Sequence, residues 1–391
     1  MPIVTLSLLL ILLILIILGV FESRMHQIAL SKIPIRIHVN GTRGKSSVTR
    51  LIAAGLRSHG IKTFAKTTGS SPRFIDDKGD DHVIQRFRPA SIGEQIRMLT
   101  RFSKESPKAV VMECMAVQPD YQWTSEHKIV KSNYSVITNV RADHLEEMGY
   151  SLDHISHSLS NTIPLGKKVF TSEVENLKPI RDRAKLNNSH LTVSTGNDIN
   201  KDYLNDFSFI EHPDNVALAL SVCEEVGVKR DIAIKGMRNM IPDPGALTVT
   251  ELKIKNSKIT FVNAFAANDP QSTLKTWNII CDYYSSNNPD IAIFLNTRTD
   301  RQVRTQQLLD MIFSKMNPNH LIVRGDNLER DILSRCETMG KIDFSLFSNE
   351  EPKQKIIDKF SDLDNHLVVG IGNIVGWGED FIRKLKGFKS A

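Results

Sequence analysis

Cysteine is scarce in this chain: there are four in 391 residues, Cys114, Cys223, Cys281 and Cys336, and no two form a C-x-x-C pair. That scatter excludes a thiolate zinc site and a disulfide framework, and reduced thiols in a cytosolic domain are the simplest account. No long block of like charge occurs, and no basic stripe is interleaved with aromatics, so nucleic acid is not an expected partner. Low-complexity tracts and internal repeats are also missing, which removes long disorder and solenoid architectures.

What remains is ordinary globular composition, 41% hydrophobic and 24% charged, in a chain long enough for two separate cores. The net charge of +6 favours an anionic partner, either an acidic small molecule or a polyanion.

The run from Ile3 to Val20 carries no charge and, as a helix, extends about 27 Å, most of a bilayer core. No Lys or Arg precedes it, and Gly19-Val20-Phe21-Glu22 lacks the small-x-small cleavage pattern of a signal peptide. A buried core helix would show a polar face, and here only Thr5 and Ser7 are polar. A retained transmembrane anchor is expected over residues 1–21, followed by a linker at 22–33. Arg24, His26, Lys32 and Arg36 follow the run, which puts the globular part on the cytoplasmic side of the bilayer.

Residues 33–39 then read as a strand. Asn40-Gly41-Thr42-Arg43-Gly44-Lys45-Ser46-Ser47 and a helically spaced apolar segment from Val48 to Leu56 follow. Strand, glycine-rich turn and helix form the setting of a phosphate-binding loop. Gly41 and Gly44 let backbone N–H groups converge, the helix start adds its positive dipole end, Lys45 can reach the β- and γ-phosphates, and Ser46 can ligate Mg²⁺. The commonest form of this loop has a glycine where this chain has Val39; here the pattern is G-T-R-G-K-S.

Two further strands end in polar groups: 109–112 in Glu113, and 134–138 in Asn139-Val140-Arg141-Ala142-Asp143-His144. In an open α/β sheet, ligands bind at such carboxyl ends. Glu113 with Ser46 suits Mg²⁺, whereas His144 on its own reads as a solvated loop residue. Thr67 and Thr68 read equally well as a plain turn, and Asp214 or Asn215 as a helix N-cap.

G-T-R-G-K-S together with T-N-x-x-x-D-H-L resembles the Mur ligase and folylpolyglutamate synthase superfamily. The resemblance implies an α/β fold: a Mur-ligase-like P-loop ATPase domain over 34–245 with a predominantly parallel sheet, then a smaller α/β domain over 246–391. It implies ATP and Mg²⁺ as cofactors. Lys45, Glu113 and His144 become catalytic, and Ser46, Glu113 and His144 hold the metal. Gly41 to Ser47, Asn139 and Asn215 contact the nucleotide. Thr67 and Thr68 lie near the γ-phosphate and the acyl acceptor. In the second domain Asn268, Arg298 and Arg301 would bind substrate, the arginines pairing with its carboxylates.

Departures from the wider pattern are Ala246 for an Arg, Ala267 for a His, and Ser158 where many relatives carry a carbamylated Lys. E-C-M-A-V-Q-P-D-Y-Q at 113–122, R-T-D-R-Q-V-R-T-Q-Q at 298–307 and G-I-G-N-I at 370–374 are similar to one branch, the poly-γ-glutamate synthase catalytic subunits. That branch implies glutamate polymerisation through an acyl phosphate at the cytoplasmic membrane, as in capsule synthesis. Expected partners are the growing polymer, the lipid bilayer and small membrane subunits, with homo-oligomerisation left open. A folylpolyglutamate-synthase-like ligase, and a membrane-tethered P-loop ATPase acting as a switch or transport component, are the alternatives.

Overall fold

The computed structural model describes residues 2–68, 72–86, 90–199, 207, 209, 211–243, 247–265, 267, 270–284, 290–339 and 342–389. Asn268 lies outside the described residues. The chain forms two compact units, Met1–Phe207 with Glu211–Ile241, and Ser208–Ile210 with Pro242–Ala391.

The first unit is built on eight strands: β1 (Ile35–Asn40), β2 (Thr63–Thr67), β3 (Arg73–Ile75), β4 (Asp81–Val83), β5 (Ala109–Glu113), β6 (Tyr134–Ile137), β7 (Lys168–Thr171) and β8 (His190–Val193). Their order is β4-β3-β2-β5-β1-β6-β7-β8, parallel from β2 to β8, with β3 antiparallel to both of its neighbours, β2 and β4. Helix α1 is Pro2–Ser31, α2 is Lys45–Ser58, α3 is Gly93–Ser103, α4 is Pro213–Glu225 and α5 is Arg230–Arg238.

A sheet covered on both faces needs strands that are apolar throughout, and β5 is buried at all of its positions. Side chains alternate between faces along a strand. Val110 and Met112 join a core with Leu99 and Phe102 of α3 and with Leu30 of α1. Glu113, an odd number of residues from both, is carried on the opposite face, where α2 packs.

Helix α1 is exposed from Ile3 through Phe21, yet its end is part of the core of the first unit: Ala29 and Leu30 are buried. His26 Nε2 lies 2.7 Å from the Ile129 carbonyl. The helix runs through most of the expected linker at 22–33, as far as Ser31. Arg36 is likewise more than a flanking charge. Its guanidinium donates to the Leu30, Ile33, Val130 and Lys131 carbonyls, at 2.6 Å for Ile33. A cation at that point satisfies carbonyls that a helix end leaves unpaired.

The second unit has the sheet β13-β12-β11-β14-β10-β9, formed by β9 (Thr248–Ile254), β10 (Ser257–Asn263), β11 (Ile291–Asn296), β12 (His320–Arg324), β13 (Asp343–Phe347) and β14 (Leu367–Gly372). Only β9 runs antiparallel. In β11, Ile293 and Leu295 enter one core and Ala292 and Phe294 the other, so this sheet too is covered on both faces.

Candidate active site

The carboxyl ends of β2, β5, β1 and β6 lie side by side at the point where the chain's direction of travel across the sheet reverses. The register sets Val39 beside Glu113 and Asn40 beside Ile137. Such a switch point opens a crevice for ligands without any special side chain. Here the crevice is a cleft of about 290 Å³ whose wall includes Gly41, Thr42, Arg43, Lys45, Thr68, Arg86, Glu113, Asp143 and His144.

The turn after β1 cannot be built from other residues. Gly41 has φ 131°, and a Cβ there would lie 2.0 Å from Thr138 Oγ1. Gly44, at φ 79°, caps α2, and its missing Cβ leaves room for Asn215, whose Oδ1 would otherwise be 2.7 Å away. Lys45 Nζ donates to the carbonyls of Gly41 (2.7 Å) and Thr42 (3.1 Å), so the ammonium is held over the loop. Ser47 sits in the first turn of α2, half-buried.

Glu113 is the point of convergence. Its Oε2 accepts from Ser46 Oγ at 2.8 Å and from the Thr68 N–H at 2.8 Å, and its Oε1 accepts from Thr68 Oγ1 at 2.6 Å. Gln95 of α3 donates to its backbone carbonyl at 3.1 Å. A buried carboxylate beside two hydroxyl groups is an all-oxygen donor set, which fits a hard divalent cation. His144 sits in the left-handed region at φ 46°, is half-exposed, and has Glu147 3.9 Å away. It lines the same cleft, but no group of three His, Cys, Asp or Glu side chains suited to hold a metal occurs among the described residues.

Several sequence-predicted residues make contacts that the sequence does not specify. Asn139 grips the loop itself: Oδ1 accepts from Thr42 Oγ1 (2.8 Å) and the Arg43 N–H (3.1 Å), and Nδ2 donates to the Arg43 carbonyl (3.0 Å). Asn215 stands against Gly44 and donates to Glu211 Oε1 at 2.7 Å; the helix cap is His212, which accepts from the Asp214 N–H. Of the two threonines only Thr68 faces the cleft; Thr67 is fully buried at the end of β2. Arg298 and Arg301 belong to the second unit, in the turn after β11. The Arg298 fork is engaged by Asp300 at 2.8 and 2.6 Å.

Sequence reasoning missed three groups. Asn40 donates to Gln122, and Gln122 donates to Ser158 Oγ at 3.0 Å, so a buried neutral network surrounds Ser158. His38 Nδ1 lies 2.8 Å from Glu126 Oε2 inside the sheet. Arg86 holds Glu94 through Nε (2.7 Å) and Nη2 (2.9 Å), while Lys66 Nζ meets the same carboxylate at 2.8 Å. Burial alone would raise the Glu94 carboxyl, but the bonds from Arg86 and Lys66 outweigh it and bring the pKa down to about 2. A lysine inside an otherwise uncharged strand was the one available signal for this group.

A phosphate loop, a strand-end carboxylate and a switch-point cleft in one sheet are the equipment of an ATP-dependent ligase, and the Mur ligase middle domain model matches residues 39–241. The chain is thus an ATP-dependent amide ligase of the Mur class. A second model, the poly-gamma-glutamate synthase CapB C-terminal domain, matches residues 249–388. The capsule biosynthesis protein CapB of Bacillus anthracis is 38% identical over 94% of this chain and 80% of its own length. The PGA synthase CapB of Bacillus subtilis (strain 168) is 34% identical over 96% of both. The chain belongs to the CapB family of poly-gamma-glutamate synthases. Its fold is also that of the bifunctional folylpolyglutamate synthase/dihydrofolate synthase of Yersinia pestis complexed with AMPPNP and a Mn ion, with a TM-score of 0.65 and 14% identity over 93% of this chain and 91% of that one.

Proposed function

We propose that this chain polymerises glutamate into poly-γ-glutamate, at the cytoplasmic face of a membrane, by activating a γ-carboxylate as an acyl phosphate. The observation that carries this reading is the convergence of Ser46 and Thr68 on Glu113, within the cleft that Lys45 also lines.

In the first half-reaction a γ-carboxylate oxygen bonds to the γ-phosphorus of ATP while the bond from phosphorus to the bridging oxygen breaks, and ADP leaves. Lys45 and the N–H groups at the start of α2 balance the negative charge on the phosphoryl oxygens. Ser46, Glu113 and His144 are the proposed ligands of Mg²⁺, which when bound would neutralise phosphate charge. In the second half-reaction the amine of the next glutamate attacks the acyl carbon. The carbon–oxygen bond to phosphate breaks, and the nitrogen's surplus proton passes to water. No residue of the chain has to become a covalent nucleophile; positioning and fixed charge carry the rate. Arg298 and Arg301 are proposed to receive glutamate carboxylates, which requires Arg298 to exchange Asp300 for substrate.

Helix α1 supports the membrane assignment, since Ile3–Ser31 is long and apolar enough to cross a bilayer and its apolar window is wholly exposed. Because its end packs into the catalytic core, this reading holds the active site close to the bilayer rather than on a free tether.

The test is ADP release by the full-length protein, reconstituted in lipid with its membrane partners, with and without glutamate. Release that depends on glutamate, with γ-linked polymer as product, is expected. Turnover indifferent to glutamate would point instead to a membrane-tethered ATPase.

A further inference from the structure

Arg86 has no part in holding the nucleotide loop, yet it lines the same cleft as Lys45, Thr68 and Glu113. Its surroundings are unusual for a wall residue. Behind it lies Glu94, whose side chain is almost fully buried, and behind that lies Lys66, which is fully buried. Two cations share the Glu94 carboxylate, and the Glu113 carboxylate also acts on Lys66, so the buried pair sets Arg86 at the cleft wall as a fixed cation. Burial opposes the Lys66 charge, and Glu94 and Glu113 favour it, which leaves the Arg86 guanidinium as the charge presented to the cleft.

The guanidinium is also oriented. Its bonds to the described residues all run through Nε and Nη2, the edge turned to Glu94. A guanidinium has five N–H donors, and this arrangement leaves one hydrogen of Nη1 and one of Nη2 side by side along the end-on edge. That edge matches the two oxygens of a second carboxylate.

Building on the proposed reaction, we infer that Arg86, pinned by Glu94 over Lys66, binds the α-carboxylate of the glutamyl residue whose γ-carboxylate is being activated. The choice between the two carboxylates follows from charge. The γ-carboxylate gives up its negative charge as it attacks phosphorus, so a fixed guanidinium on it would hold it back. The α-carboxylate keeps its charge throughout, and a permanent cation can hold it from binding to release. Arg86 and Glu113 line one cleft, and a short flexible stem joins the two carboxyls of glutamate.

The experiment uses the full-length protein in lipid and takes hydroxylamine as the acceptor amine, so that donor activation is read as hydroxamate. The donors are a short γ-glutamyl oligomer ending in glutamate and the same oligomer ending in glutamate α-amide. The wild type should prefer the acid by about 10- to 100-fold in kcat/KM, the range expected for a charge-assisted bidentate pair. Arg86→Met should lower kcat/KM for the acid by a similar factor and abolish the preference, with KM for ATP unchanged. Arg86→Lys, which keeps charge without the fork, should fall between. Equal use of both donors by the wild type would overturn the inference, whether or not either variant folds. So would an Arg86→Met enzyme that keeps the preference while KM for ATP rises, because the arginine would then serve phosphate. If the wild type makes no donor-dependent hydroxamate from either oligomer, the underlying ligase reading fails, and this inference falls with it.

Discussion

Ser46 donates a 2.8 Å hydrogen bond to Glu113, which joins the phosphate-binding turn to a strand end 67 residues further along the chain. The bond exists because β1 and β5 are parallel neighbours whose carboxyl ends lie level. Loop and carboxylate are thereby fixed together before any ligand arrives.

Glu113→Gln keeps the shape of the side chain but removes the charge that suits a divalent ion. We expect glutamate-dependent ADP release to fall on the order of a hundredfold. Ser46→Ala, which loses a hydroxyl and no charge, should cost less. Thermal unfolding measured alongside should move little for Ser46→Ala, because a single partly exposed hydroxyl is removed.

Gly44→Ala tests the loop in another way. The new methyl group would meet Asn215 Oδ1 at 2.7 Å and would hold alanine at φ 79°. The strained backbone alone costs about 1–2 kcal/mol. Lower stability and a raised KM for ATP are expected together. Adding Asn215→Ala removes the clash but leaves the backbone strain, so it should restore part of the loss, a coupling that a double-mutant cycle measures.

These two predictions rest on features that differ in how legible they are. Strand, turn and helix from Ile35 to Ser58 could be read directly, since local spacing and glycine placement set them. The same is true of Glu113, a lone carboxylate closing an apolar run. The seat of Asn215 against Gly44 could not be read, because it depends on packing between segments 171 residues apart (215 − 44). Asn139 is legible as a polar residue after a strand end, but its grip on Thr42 and Arg43 appears only when β6 lies beside β1. Arg36 read as a flanking charge because sequence cannot show that it turns inward to the Ile33 carbonyl. Arg86 escaped notice altogether: its partner Glu94 opens a helix, and its significance lies in the buried Lys66 behind.

Glu94 gives a prediction in pH. Its folded-state pKa of about 2 lies below the ordinary 4.5. The folded state therefore binds this proton less readily than the unfolded chain does. The stabilisation is complete above about pH 4.5 and is lost as pH falls through the interval down to about 2. Urea unfolding between about pH 5 and pH 3 should show the wild type losing stability more steeply than Glu94→Gln. Parallel slopes would mean that the carboxylate is not held by Arg86 and Lys66 in solution.

The central claim, that a carboxylate is activated by phosphoryl transfer beside Lys45 and Glu113, is tested most directly by isotope transfer. Glutamate labelled with ¹⁸O in its γ-carboxylate is supplied with ATP to the full-length enzyme, and the released phosphate is analysed by mass spectrometry. The account predicts one ¹⁸O atom in each phosphate released with amide-bond formation, and loss of that transfer in Lys45→Ala. Polymer formed with unlabelled phosphate would contradict it.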